Sequence, residues 1–357
     1  MNFQKKPFKK FKINNVLKAY FGSIQELSFE ISKLINHKNI YMVFDQNTLE
    51  YLNTFESVIT QNIKYLIIPS GEENKTLDNV TKIWDFLNLN HAKSGDYLLI
   101  VGGGMTGDLA GFAASTFKRG IKFILFPSTL LSMVDSSIGG KTGFNYNFIK
   151  NNIGTLSYPE AVFYDVNFLN TLPKNHIISG LSEVYKHSII GDRTLWDYLK
   201  SNSRQLDYNY IIERSHNLKS KIVDIDPHEN NIRKKLNFGH TVGHAIESFF
   251  LNEKQPLLHG FAIAKGMIIE SFIAKKEKIL NDDDYQEIRN ILSKYFSSYI
   301  DFKIKTNSLI RLMKFDKKNT SEKINFSLPK SIGVVSINYE IELKKVESYL
   351  LEFYEND

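Results

Sequence analysis

The sequence predicts an α/β domain over residues 1–172 joined to an all-α domain over residues 173–357. Three observations carry that expectation. Up to about Thr171, short β-branched or aromatic runs alternate with segments of helical spacing, whereas after Pro173 apolar residues recur at three- and four-residue intervals. The 357 residues also exceed what one hydrophobic core usually organises.

In the first part, Ile40 to Phe44, Tyr65 to Ile68, Tyr97 to Val101 and Lys122 to Phe126 read as buried strands. Leu77 to Leu89 and Leu109 to Phe117 have helical spacing, and strands alternating with helices imply a largely parallel sheet. In the second part the periodic stretches are Ile177 to Ile190, Leu195 to Leu199, Tyr210 to Val223, His240 to Phe250, Phe261 to Lys275 and Asp284 to Tyr299.

Composition narrows the function classes. The net charge of +6 would suit a nucleic-acid partner only if it were concentrated in one patch. Its densest run, Lys5, Lys6, Lys9, Lys10 and Lys12 interleaved with Phe3, Phe8 and Phe11, precedes no nucleic-acid fold signature, so a solvated, frayed terminus is expected there. No apolar stretch resembles a signal peptide or approaches a membrane span, so no membrane partner is expected. Cysteine is absent, which excludes disulfides and thiolate metal sites and leads to the expectation of a cytoplasmic protein. Any metal must be held by histidine and carboxylate.

After the strand Tyr97 to Val101 comes Gly102-Gly103-Gly104-Met105-Thr106-Gly107-Asp108, then a helix from about Leu109. This fits G-x-G-x-x-G between a strand and a helix, where glycines let backbone approach a pyrophosphate. The acid usual about twenty residues further on is missing, because that stretch reads Ile124-Leu125-Phe126-Pro127. Asp45 ends an earlier strand and could take ribose hydroxyls, although alone it reads first as a turn or helix-cap residue. Ser70-Gly71-Glu72-Glu73-Asn74-Lys75 alone reads as a loop entering a capped helix.

A second constellation lies in the helical part. His240 and His244 in Gly239-His240-Thr241-Val242-Gly243-His244 share one helix face, and two glycines and two histidines at a helix start are poor choices for helix stability. Another demand is being met there. Glu183 and Lys186, three residues apart, also share a face, and His259-Gly260 stands at a loop-to-helix junction. Glu183 with two histidines would supply an open three-ligand zinc site, and spacing alone suggests His240 with His244 as the pair. Any single one of these histidines reads more simply as an exposed or capping residue.

Taken in order, the segments SGEENK, GGGMTGDLAGFAA, RGI, FPSTLLSMVDSSIGGKTGFN, KNNIGT, LNTLP, GLSEVYKH, LNFGHTVGHAIES, LLHG and DKK resemble the 3-dehydroquinate synthase family of sugar-phosphate cyclases, from about Asp45 to Pro329. The resemblance implies a Rossmann-like NAD-binding domain and a helical metal- and substrate-binding domain. It implies conversion of 3-deoxy-D-arabino-heptulosonate 7-phosphate to 3-dehydroquinate and phosphate, in the shikimate route to chorismate and the aromatic amino acids. Such a lyase uses a divalent metal, Zn2+ or Co2+, and an NAD that is regenerated within each turnover.

By motif matching, the resemblance assigns the metal to Glu183, His240 and His259, and moves His244 to the substrate. NAD contacts carry over to Asp45, Glu72, Lys75, Gly104, Met105, Thr106, Gly107, Asp108, Ser128, Thr129, Lys141, Lys150, Phe168, Leu169, Asn170 and Thr171. Substrate contacts match Arg119, Asp135, Lys141, Asn151, Lys186, Lys219, Glu229, Arg233, Asn237, His244 and Lys317 or Lys318. Lys219 and Arg233 are expected on the substrate carboxylate, and Arg119 from the second subunit of a homodimer. Ser128-Thr129, Asp226-Pro227, Asn231, Tyr158 and Glu322 depart from the family pattern, which questions loop geometry more than chemistry. Two rivals share this general architecture: a cyclase acting on a substrate without the carboxylate, and a metal-dependent polyol dehydrogenase that releases NADH.

Overall fold

The computed structural model describes residues 9–13, 17–36, 38–147, 149–203, 205–314 and 322–356. The chain divides into two compact units, Met1–Pro173 and Lys174–Asp357.

The first unit runs β1 (Lys9–Ile13), β2 (Leu17–Phe21), α1 (Ser28–Ile35), β3 (Ile40–Asp45), α2 (Leu52–Glu56), β4 (Ile63–Ile68), α3 (Leu77–Leu89), β5 (Tyr97–Gly102), α4 (Gly104–Thr116), β6 (Lys122–Pro127), β7 (Lys141–Tyr146), β8 (Ile149–Leu156) and β9 (Ala161–Tyr164). Seven strands form one sheet in the order β1-β2-β9-β6-β5-β3-β4, parallel except for the antiparallel pair β1 and β2. Every residue of β3 and β5 is buried, which is why both read as continuous apolar runs instead of alternating ones. β7 and β8 pair separately as a hairpin.

The connectivity places a site. From β3 the chain moves out to the edge strand β4 and then returns to the other side of β3 as β5. Such a reversal opens a crevice at the carboxyl ends of the two central strands, where α/β sheets bind ligands. Asp45 ends β3 and Gly102 ends β5.

One expectation changes here. Part of the lysine run expected to fray, Lys9–Ile13, pairs with Leu17–Phe21 across a three-residue connection, so its backbone groups are satisfied by a sheet partner. Lys5 and Lys6 lie outside the described residues.

The second unit comprises α5 (Lys174–Gly191), α6 (Arg193–Ser201), α7 (Tyr208–Ile225), α8 (His240–Asn252), α9 (His259–Lys276), α10 (Asp282–Ile300), α11 (Thr306–Lys314), β10 (Lys323–Ser331), β11 (Val334–Glu342) and α12 (Leu343–Asn356). It is helical, but the expectation of helices alone is corrected by the antiparallel pair β10 and β11. Alternating Ile324, Phe326 and Leu328 face the core, and Gly333 turns the chain at φ +100. α9 is buried from Gly260 through Ala274, as befits a central helix that is apolar on nearly every face.

Glycines set how closely α8 and α9 approach. A Cβ on Gly266 of α9 would lie 2.2 Å from the Gly239 carbonyl oxygen and 2.8 Å from the Gly243 nitrogen. A Cβ on Gly243 would meet Ile263 Cδ1 at 2.7 Å. The glycines that look misplaced at a helix start therefore serve helix contact, which local propensity does not register.

Gly266→Ala sets two effects against each other. Helix propensity favours alanine by about 1 kcal/mol, whereas overpacking against rigid backbone costs roughly 1–3 kcal/mol. The contact should win, lowering the urea midpoint of unfolding. A midpoint equal to or above that of the parent chain would refute close α8 and α9 contact.

Candidate active site

In the first unit the glycine turn forms the N-terminus of α4. A Cβ on Gly102 would overlap the Thr106 side chain at 2.5 Å, one on Gly104 would reach Ser136 Oγ at 2.7 Å, and one on Gly103 would touch Thr129 at 3.0 Å. A Cβ on Gly107, inside α4, would meet nothing within 4 Å. Gly103 caps α4 without a side chain, leaving the first-turn N–H groups as donors for an external partner.

Asp45 is buried at the crevice. Its Oδ2 accepts from Thr106 Oγ1 (3.1 Å) and the Gly103 N–H (3.5 Å), while Oδ1 accepts from the Asn47 N–H (2.9 Å). An acid thus stands on the adjacent strand, ahead of the turn in sequence but beside it in space. A narrow cleft follows, lined by Gly103, Gly104, Gly107, Asp108, Ser136 and Lys141 among others.

A polar network joins several expected residues. Buried Lys75 donates from Nζ to Asp108 Oδ2 (2.5 Å) and to Asn151 Oδ1 (2.6 Å). Asn145 donates from Nδ2 to Glu72 Oε1 (2.9 Å), accepts the Asn151 N–H on Oδ1 (2.8 Å), and donates its own N–H to the Lys75 carbonyl (2.8 Å). Asn145 belongs to the GFN of the matched segment, yet its linking role shows only in the fold. Among the remaining residues, the Ser128 N–H donates to the Gly102 carbonyl (2.9 Å), and Thr129 exchanges hydrogen bonds with Ser132. Met105 is half-buried and Lys150 exposed.

Phe168 and Thr171 meet Tyr51, with Leu169 buried and Asn170 exposed between them. The Phe168 and Tyr51 rings lie 4.6 Å apart edge-to-face, and Thr171 Oγ1 is 2.7 Å from the Tyr51 hydroxyl. Arg119 is exposed in a left-handed turn, φ +68, between Lys118 at +49 and Gly120 at +114. Asp135 is half-buried in the turn Ser132–Ser136. Tyr158 packs on Gly140, whose φ of +67 suits glycine.

In the second unit, α5 carries Glu183 and Lys186, both fully buried and ion-paired. His240 opens α8 and His259 opens α9. Their Nε2 atoms lie 3.7 and 3.6 Å from Glu183 Oε1, and one donor atom from each of the three residues falls within 4.8 Å of the others. His240 turns Nδ1 toward the Phe238 carbonyl (3.1 Å), and His259 turns Nδ1 toward Glu247 Oε2 (3.4 Å). Both Nε2 atoms are thereby left to face the carboxylate.

Backbone fit brings these side chains together. A Cβ on Gly260 would lie 1.9 Å from the Ser179 carbonyl oxygen, so only glycine lets the start of α9 dock on α5. Gly239 adopts φ +79 and donates its N–H to Glu270 Oε2 (2.7 Å), while the Val242 N–H reaches Glu270 Oε1 (2.9 Å). A buried carboxylate from α9 thus caps the helix that begins with His240. His244, which spacing pairs with His240, is exposed; its donor atom groups with Glu247 and His259 and not with Glu183.

The surroundings push the two imidazoles in opposite directions. Burial and the neighbouring Lys186 ammonium hold His240 well below its ordinary range, which leaves a neutral ring with a free lone pair. Burial opposes charge on His259 too, but the Glu247 and Glu183 carboxylates outweigh it and raise that ring to about 10.

Lys219 is buried on α7, and Arg233 is buried in the following segment, donating from Nη1 to the Pro227 carbonyl (2.6 Å). Asn237 Nδ2 donates to Glu229 Oε1 (2.7 Å). Asp226 organises this loop by accepting the N–H groups of Asn230, Asn231 and Arg233 at 2.9, 2.7 and 3.0 Å. Asn231 sits in this loop at φ −140 and ψ −105. Lys317 and Lys318 lie outside the described residues.

Reasoning from sequence passed over Glu247, Glu270 and Asp226 as organising groups. Glu247 had a signal, since it stands three residues after His244 and seven after His240 on one helix face. Glu270 had one too, as an acid inside the apolar run of α9.

The family model described as 3-dehydroquinate synthase N-terminal matches residues 65–179, and that described as 3-dehydroquinate synthase C-terminal matches residues 180–319. A 3-dehydroquinate synthase from Pelagibacter ubique is 37% identical over 355 residues, covering 94% of this chain and 93% of its own. One from Parabacteroides distasonis is 35% identical over 327 residues, covering 90% and 92%. A solved 2-deoxy-scyllo-inosose synthase, complexed with carbaglucose-6-phosphate, NAD+ and Co2+, shares the fold at a TM-score of 0.85, with 23% identity over 96% of this chain and 99% of its own. With both family models matched in sequence and relatives above 30% identity along most of its length, the chain belongs to the 3-dehydroquinate synthase family.

Proposed function

We propose that the chain performs the reaction its family is named for, converting 3-deoxy-D-arabino-heptulosonate 7-phosphate to 3-dehydroquinate with loss of phosphate. The observation that carries this reading is the convergence of Glu183, His240 and His259 on one point, with both imidazole Nδ1 atoms engaged elsewhere.

That donor set suits Zn2+ or Co2+. Bonds of about 2.1 Å to a tetrahedral ion put neighbouring ligand atoms about 3.4 Å apart, close to the 3.6 and 3.7 Å found between Glu183 and the two rings. Three protein donors leave coordination open for substrate oxygens. When bound, the ion would act as a Lewis acid on a substrate hydroxyl and on the carbonyl derived from it. Lys186 offsets the Glu183 charge, and neutral His240 presents its lone pair without first losing a proton.

NAD is assigned to the first unit. Gly107 supports it most directly, because packing within the chain does not require glycine there, while helix propensity disfavours it by about 1 kcal/mol. A close approach by a ligand gives the missing reason, and the uncapped start of α4 offers N–H donors to a pyrophosphate. Asp45, tied to the glycine turn, and the network of Lys75, Asp108 and Glu72 would hold the ribose end. When bound, NAD supplies a hydride acceptor that returns the hydride before product leaves.

Lys219 and Arg233 are assigned to the substrate carboxylate as charge-assisted donors, Lys219 held on α7 and Arg233 positioned by the Asp226 loop. Asn237 and His244 are assigned to its phosphate. A homodimer and a cytoplasmic location complete the reading and rest on family membership alone.

Purified protein incubated with the heptulosonate phosphate, NAD and Co2+ should release phosphate continuously with no net rise in NADH absorbance. Turnover of sedoheptulose 7-phosphate but not of this substrate, or steady accumulation of NADH, would overturn the reading. Gly107→Ala separates cradle from scaffold: its unfolding midpoint should hold or rise, while NAD affinity falls roughly tenfold or more, about 1.4 kcal/mol. Unchanged NAD affinity, measured by calorimetry, would remove Gly107 from the cofactor site.

A further inference from the structure

We propose that Glu247 is a positioning residue for the metal centre, fixing the ring orientation and tautomer of His259. The inference rests on the metal assignment above. His259 stands at the first residue of α9, and its side chain is 30% exposed, so packing alone does not fix the ring. Its two nitrogens face opposite acids: Nε2 lies 3.6 Å from Glu183 Oε1, and Nδ1 lies 3.4 Å from Glu247 Oε2. A flipped ring would turn Nδ1 away from Glu247. A carboxylate at Nδ1 keeps the proton there and leaves the Nε2 lone pair for the ion.

The two imidazoles are supported differently. His240 leans on the Phe238 carbonyl, a neutral acceptor two residues away on its own segment. His259 leans on a carboxylate from another helix, α8, whose first residue is His240. Glu247 therefore ties the orientation of one ligand to the helix that bears the other. A carboxylate behind an imidazole also makes it a stronger donor to a metal. Since Glu247 is half-buried and forms no part of the Glu183 group, its replacement spares the docking of α9 on α5, which depends on Gly260.

Co2+ binding to the full chain provides the test, read by chelator competition and by the visible d–d spectrum, with apo-protein unfolding followed alongside. Glu247→Ala should weaken Co2+ binding by roughly 10- to 100-fold and change the spectrum while the apo unfolding midpoint stays near that of the parent. Glu247→Gln, which retains an acceptor for the Nδ1 proton, should recover part of the affinity. Parent-like affinity and spectrum in Glu247→Ala would overturn the proposal. So would a second Co2+ per chain that is lost in both Glu247→Ala and His244→Ala, because Glu247 would then be a ligand of a separate site. Glu183→Ala serves as the control for the underlying assignment: equal Co2+ binding by it and the parent would refute the Glu183 centre itself, a result distinct from failure of Glu247 alone.

Discussion

A carboxylate buried among cationic and imidazole groups is the constraint on which the second unit is built. Glu183 has no solvent exposure, and an ionised carboxylate moved out of water costs several kcal/mol unless charge and donors meet it. Lys186 meets it from one turn further along α5, and His240 and His259 approach from the starts of two other helices. Three helices must therefore arrive together at one point, and the features that look costly in isolation follow from that. Gly260 brings α9 onto α5; Gly239, Gly243 and Gly266 bring α8 onto α9; Glu270 caps the start of α8 from the neighbouring helix.

The same distinction between scaffold and site runs through the first unit. A Cβ on Gly102, Gly103 or Gly104 would crowd Thr106, Thr129 or Ser136, so neighbours within the chain account for their small size. Gly107 has no such neighbour within 4 Å. Asp45 fastens the glycine turn to β3 and lies at the sheet crevice where the strand order reverses.

Much of this was legible in the residues. Continuous apolar runs marked β3, β5 and β6 because strands covered on both faces need them, and three- and four-residue periodicity marked α5 to α10. The hairpin of β10 and β11 was passed over although Ile324, Phe326 and Leu328 alternate, because it follows a long helical stretch whose three- and four-residue period dominates the reading there. The pairing of β1 with β2 escaped notice for a different reason: a lysine-rich segment reads as solvated until a ladder partner is known. At the site, spacing could say that His240 and His244 share a face, but not that the docking of α9 would bring His259 to Glu183. That long-range contact is a property of helix packing, and the family resemblance supplied it where periodicity could not.

On the proposed reading, Glu183, His240 and His259, and not the neighbouring His244, hold the ion. X-ray absorption of the cobalt-loaded chain measures the ligand set directly. Two imidazole nitrogens with oxygen donors in the remaining positions is the predicted result, identical in His244→Ala. Three imidazoles in the parent, falling to two in His244→Ala, would contradict it.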